Sequence, residues 1–143
     1  PLTVEDGDRL YVHASAADPA AWRYVSDLAT AADAFAATTR RVILCGHHHK
    51  PAIYSLMPDQ APMVFTPGSN APIPLLHHRR WLAVIGACGQ PRDENPAASY
   101  AILDEGTRSL CYRRAPYDVE AAARKIQAAG LPQILAARLF VGR

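Results

Sequence analysis

VILCGHHHKPAIY, residues 42–54, decides the fold. Four apolar residues run into Gly46 and three consecutive histidines, and Pro51 closes the segment. An unbroken apolar run of that length reads as a strand covered on both faces. Glycine and histidine directly after it put imidazoles at the carboxyl end of the strand, where ligands of open α/β sheets bind. Gly46 is expected to let the backbone turn tightly and approach a neighbour closely. His47 and His49, two residues apart, would point the same way from an extended turn and could grip one metal or two adjacent ones. His48 would face the other side. Neutral imidazole suits zinc, manganese, iron or nickel.

Upstream, RLYVHA (9–14) is a short β-rich run. PAAWRYVSDLATAADAFAATT (19–39) then carries Trp22, Val25, Leu28, Ala32 and Phe35 at three- and four-residue steps, the pattern of an amphipathic helix. Strand, helix, strand suits a crossover unit in an α/β sheet. His13 ends the first of these strands, as His47 follows the second. If the two strands are neighbours, His13 and His47 come within coordination reach. His13 taken alone reads more readily as a half-buried structural histidine than as a ligand, and Cys45 as core, since Cys-x-His-x-His does not match structural zinc spacing. His77 and His78, in LLHHRRW, belong to a basic, solvated turn.

Downstream, residues 58–74 hold five of the twelve prolines and read as a loop around a possible edge strand, APMVF. WLAVIGACG (81–89) returns to strand composition. SYAILD (99–104) and RSLCYRR (108–114) make a hairpin turning at Gly106. DVEAAARKIQAAG is a helix with Asp118 as N-cap and Gly130 at its stop, and Pro132 begins a last short helix. Arg92 and Asp93 are expected as a local ion pair fixing their loop, with Arg92 reaching a substrate phosphate as the sharper alternative. Lys50 reads as an exposed lysine that could help attract anions. The pair Arg113–Arg114 reads as a solvated strand face.

The 143 residues suit one domain, 1–143, with half of them apolar. A net charge of +2 gives no argument for nucleic acid or an anionic membrane. No apolar run is long enough to span a bilayer, and PLTVEDGDRL lacks the basic and apolar segments of a signal peptide. Three widely spaced cysteines suit reduced thiols, so the expected compartment is the cytoplasm.

With these residues in place, the chain resembles the later part of a calcineurin-like metallophosphoesterase, and most of all the prokaryotic group named serine/threonine phosphatases or diadenosine tetraphosphatases. YVHASAADPAAWRYV is similar to that group's strand, His-Gly-Ser-Pro and aromatic-rich segment. VILCGHHHKPAIY is similar to its G-H-T-H segment. GACGQPRDENPAASYAILD is similar to its G-S-V-G-Q-P-R-D…A-S-Y-A segment, and RRAPYDVEAAARKIQAAGLP to its final hairpin and helix. The resemblance implies the C-terminal part of a four-layer α/β/β/α sandwich. It implies that His13 and His47 bind the second metal of a two-metal site and His49 the first. The cofactors would be two divalent ions, of manganese, iron, zinc or nickel, clamping phosphate oxygens and activating water for in-line attack. The substrate would be a small phosphate ester or a phosphoprotein.

Departures from the family pattern are as informative. The D-x-H, G-D-x-x-D and G-N-H-D/E segments are absent. With them go the bridging carboxylate, the asparagine ligand and the histidine that would protonate the leaving group, so this chain supplies no catalytic acid. His-Ala-Ser-Ala replaces His-Gly-Ser-Pro at 13–16, and Ala87–Cys88 replaces Ser-Val. Two metals need a bridging anion to offset their repulsion, and three histidines cannot supply it. The resemblance therefore implies a phosphoesterase when intact and an inactive fragment alone, with an exposed half-sheet that favours association, including a homo-oligomer. The alternatives are a non-catalytic metal-binding or assembly remnant of the same fold, and a mononuclear zinc site with its own role.

Overall fold

The computed structural model describes residues 1–143 and contains two β-sheets and three α-helices. The larger sheet has six strands in the order β1 (Thr3–Asp6), β2 (Arg9–Val12), β3 (Val42–Cys45), β7 (Arg80–Val84), β4 (Ala52–Leu56), β5 (Met63–Phe65). The central strands β2, β3 and β7 run parallel; β1 on one side and β4 on the other run antiparallel to them, and the edge strand β5 pairs antiparallel to β4. The smaller, antiparallel sheet has the order β6 (Pro72–Pro74), β9 (Ser109–Ala115), β8 (Ala98–Asp104).

The continuous apolar composition of β3 and β7 follows from burial on both faces. Ile43, Cys45, Leu82 and Val84 alternate onto one face with Leu10, Val12 and Tyr54, where helix α1 (Leu28–Ala36) packs Ala31, Ala34 and Phe35. Val42, Trp81, Ala83 and Ile53 alternate onto the other face and meet Leu110 and Tyr112 of the small sheet. The layers run α1, large sheet, small sheet, in keeping with the α/β/β/α expectation. After β9, α2 (Val119–Ala128) and α3 (Gln133–Val141) pack on each other, and the end of α3 docks on the loop before β8, where Glu94 N donates to Gly142 O at 2.9 Å. The Tyr112 hydroxyl ties the sheets together, donating to the Ala52 and Val84 carbonyls at 3.1 and 3.2 Å.

The crossover unit is present, with β2 and β3 parallel and α1 between them. The expected helix over 19–39 is shorter. Pro19–Ala21 form a 3-10 turn that ends at Trp22 in the left-handed region (φ 54°), and the α-helix starts at Leu28. Its N-terminus is fixed by a capping box in which Asp27 Oδ1 accepts from Thr30 N at 2.8 Å and Thr30 Oγ1 accepts from Asp27 N at 3.2 Å. The preceding turn carries Trp22 and Tyr24 out of the helical repeat and leaves both exposed. Strands β1, β4 and β6 are additional to those expected. MVF is the edge strand β5, and the hairpin at 98–115 and the Asp118 cap form as read. No helix is long and apolar enough to cross a membrane.

Candidate metal centre

Three parallel strands deliver the site. Their carboxyl ends lie side by side and are stitched by the backbone: Gly46 N donates to His13 O at 3.0 Å, and Ile85 N donates to Cys45 O at 2.8 Å. His13 therefore lies beside the turn after β3. His13 Nε2 and His47 Nδ1 approach to 3.0 Å, the juxtaposition expected for neighbouring strands. Two nitrogens bound to one ion at about 2.1 Å, and subtending roughly 90–110°, stand about 3.0–3.4 Å apart. The pair thus has the spacing of one edge of a coordination sphere.

His49 is held differently. Its Nδ1 lies 2.8 Å from Gln90 O. A carbonyl can only accept, so Nδ1 carries the proton and Nε2 is left with its lone pair, the usual arrangement for a metal-bound histidine supported by a backbone oxygen. The structure does not bring His49 together with the other two: no group of three His, Cys, Asp or Glu side chains converges to hold an ion. The expectation of parallel His47 and His49 side chains fails because the turn is not extended. His47 and His49 both have left-handed backbones, at φ 60° and 66°, which cancels the strand alternation. The His48 ring lies 5.5 Å from Tyr24, the same tyrosine that stacks on His47 at 4.6 Å. The turn also does not rely on Gly46 as expected. A Cβ there would meet nothing nearer than His13 O at 3.7 Å, whereas one on Gly86 (φ 89°) would press on Ser99 Oγ at 2.8 Å and Pro51 Cγ at 2.9 Å.

Aromatic rings wall the pair. Trp22 lies 4.6 Å from His13 and edge-on to His47 at 5.4 Å. The reading of residues 19–39 as one helix hid this role, although the aromatic-rich AAWRYV run was its visible signal. Burial lowers the pKa of His47, with the His13 charge acting in the same direction and a backbone hydrogen bond at Trp22 opposing it. Burial, helped by Lys50 and Arg92, lowers His48, and burial with Arg92 lowers His49. All three rings are accordingly neutral and able to donate lone pairs at neutral pH. Cys45 is buried core, its thiol pushed up to about 12 by burial. His77 and His78 sit exposed before β7, at the end of that strand remote from the pair.

The expected Arg92–Asp93 pair does not form. Asp93 Oδ2 pairs with Arg114, which also donates to Ala97 O at 3.0 Å, so Arg114 is not a solvated strand residue. Arg92 is instead held by Gln90 Oε1, accepting from Nε at 3.1 Å and Nη2 at 2.8 Å. Gln90, for which local pattern gave no separate signal, thus touches both His49 and Arg92.

No family model matches the chain. It is 31% identical, over its whole length, to an uncharacterized protein of Methanocaldococcus jannaschii, of which it spans 57%. It superposes on a metallophosphoesterase from Sphaerobacter thermophilus with a TM-score of 0.88 and 31% identity, covering 100% of this chain and 58% of that one. It also superposes on a hypothetical protein from Pyrococcus horikoshii with a TM-score of 0.67 at 15% identity, covering 51% of that chain, a likeness of fold alone. The chain spans just over half the length of these proteins, and over that span it carries the calcineurin-like metallophosphoesterase fold.

Proposed function

We propose that this chain contributes the histidine side of a metal-dependent phosphoesterase that hydrolyses phosphate esters at a two-metal site. The observation that carries the reading is the His13–His47 pair, 3.0 Å apart at the ends of adjacent parallel strands, in a fold shared with a metallophosphoesterase. His13 Nε2 and His47 Nδ1 would hold one divalent ion, and His49 Nε2, oriented through Gln90, would serve the other. Zinc, manganese, iron and nickel all suit these donors. Bound divalent ions would supply Lewis-acid polarisation of the phosphoryl group and activation of water. The chain's own residues keep His47 and His49 neutral, fix the His49 tautomer and wall the pair with Trp22 and Tyr24. They bring no carboxylate to the cluster, so a bridging anion and a proton donor must come from outside these 143 residues. The reading keeps the cytoplasm as the compartment, in line with three unbridged cysteines.

The test is hydrolysis of p-nitrophenyl phosphate and its diester with manganese present. The chain alone should show no turnover. A polypeptide extended to the length of its relatives should turn over, and His47→Gln should abolish this. Turnover that survives His47→Gln would refute the assignment.

A second reading, an assembly module, is favoured by an apolar shelf beside His13. Leu2 and Val4 are exposed there, next to Tyr11, Leu44 and Ile85. If this face self-associates, sedimentation should show a dimer that Val4→Glu disperses. A monomer at all concentrations would remove this reading.

A further inference from the structure

We propose that Lys50 and Arg92 form an anion subsite beside the histidine rim, one that holds a second, non-reacting phosphoryl group of the substrate. The inference rests on the phosphoesterase reading for its substrate, but not for its geometry. Lys50, Arg92, Asp93, Glu94 and Arg143 line a recess of about 460 Å³, adjacent to the histidines because Arg92 N donates to His49 O at 3.2 Å. Its acids are already engaged. Asp93 Oδ2 pairs with Arg114, while its Oδ1 is shut away from solvent and has no hydrogen-bond partner, and Glu94 pairs with Arg143 at 2.7 Å. Lys50 and Arg92 have no carboxylate partner, so the recess keeps two unbalanced positive charges.

Arg92 is also prepared for a planar acceptor. Gln90 Oε1 takes the Nε and Nη2 donors of the guanidinium, which fixes the plane and leaves Nη1 without a protein partner. A guanidinium held by a neutral amide keeps its full charge for an incoming oxyanion, whereas a carboxylate would have cancelled it. Gln90 is thus a positioning residue, with its backbone oxygen orienting His49 and its side chain orienting Arg92. One residue sets the distance between the metal side and the anion side.

The experiment titrates the metal-free protein, kept in chelator, with inorganic phosphate and with pyrophosphate by calorimetry. Arg92→Gln and Lys50→Gln should each weaken binding by about tenfold or more, the usual loss for a charge-assisted hydrogen bond. Arg92→Lys, which keeps the charge without the fork, should fall between wild type and Arg92→Gln. His47→Gln should leave the affinity unchanged. Melting curves of every variant establish folding, and Arg92→Lys carries the test if Arg92→Gln does not fold. Anion binding that persists in His47→Gln supports the subsite even where the metal reading fails. Undetectable phosphate binding in the wild type, or binding indifferent to Arg92→Gln and Lys50→Gln, overturns the subsite and leaves the metal reading intact. In the extended polypeptide, Arg92→Gln should raise KM for substrates with two phosphoryl groups and spare p-nitrophenyl phosphate. Equal effects on both would overturn the assignment to a non-reacting group.

Discussion

Replacing Arg80 by glutamine should destabilise the protein by about 3 kcal/mol without touching the histidine pair. Arg80 opens β7, and its guanidinium reaches back to the end of α1. Nη1 donates to Phe35 O at 2.9 Å, Nη2 to Thr38 O and to Arg40 O at 3.1 Å, and Nε to Arg40 O at 3.2 Å, while the cation sits 5.3 Å from the Phe35 ring centroid. These carbonyls belong to the last turn of α1 and to the link into β3, where no backbone donor follows in register. A hydrogen bond from a charged group contributes about 1.5–3 kcal/mol net, and a partly exposed cation–π contact about 0.5–1 kcal/mol. The bonds share one cation and cannot be summed individually, and the surface carbonyls regain water, so about 3 kcal/mol is the combined loss. With a urea m-value of roughly 2 kcal/mol/M for a chain of this size, the midpoint should drop by about 1.5 M. Arg80→Lys should recover less than half of this, because an ammonium offers a point charge where three carbonyls need a fork. A loss below about 0.5 kcal/mol for Arg80→Gln would refute the reasoning.

Other substitutions and conditions divide as cleanly. Gly86→Ala should cost about 2 kcal/mol or more, since a left-handed backbone and a 2.8 Å contact with Ser99 both oppose the methyl group; Gly46→Ala should cost less than about 1 kcal/mol, and parallel urea curves would show a reversal. Tyr112→Phe removes the hydroxyl shared by the Ala52 and Val84 carbonyls and should cost about 1–2 kcal/mol, again read from urea curves. For pH, His47, His48 and His49 have lowered pKa values in the folded protein, so the unfolded chain takes up protons first as pH falls through about 6.5. The metal-free protein should therefore lose stability from pH 7.5 to 5.5, and a His48→Gln/His49→Gln variant should show a shallower loss. A urea midpoint that rises on acidification would contradict the sign.

Much of this fold was legible because it is written in burial. VILC and WLAV are apolar at every position since each face of the large sheet has its own core, and the parallel placement of β2 beside β3 followed from the intervening helix. The His13–His47 approach followed in turn from that neighbour relation. What was not legible involves backbone conformation and long-range pairing. Nothing in GHHHKP fixes left-handed residues at His47 and His49, because histidine, though enriched in that region, adopts it at only a small minority of positions. Trp22 matched a helical period by position, yet the Asp27–Thr30 capping box starts the helix later and frees Trp22 and Tyr24 to pack against the histidines. Asp93 and Arg92 are adjacent in sequence, but the hairpin strand β9 brings Arg114 to the carboxylate, and only the fold could reveal that Gln90 takes its place beside Arg92.

The central claim, that His13 and His47 grip one ion together, is tested most directly by titrating the protein with zinc while following the histidine ring signals by NMR. The His13 and His47 rings should shift together at one equivalent, and His13→Ala should abolish the response of His47. Zinc binding that leaves these two rings unmoved, or a His47 response that persists without His13, would contradict it.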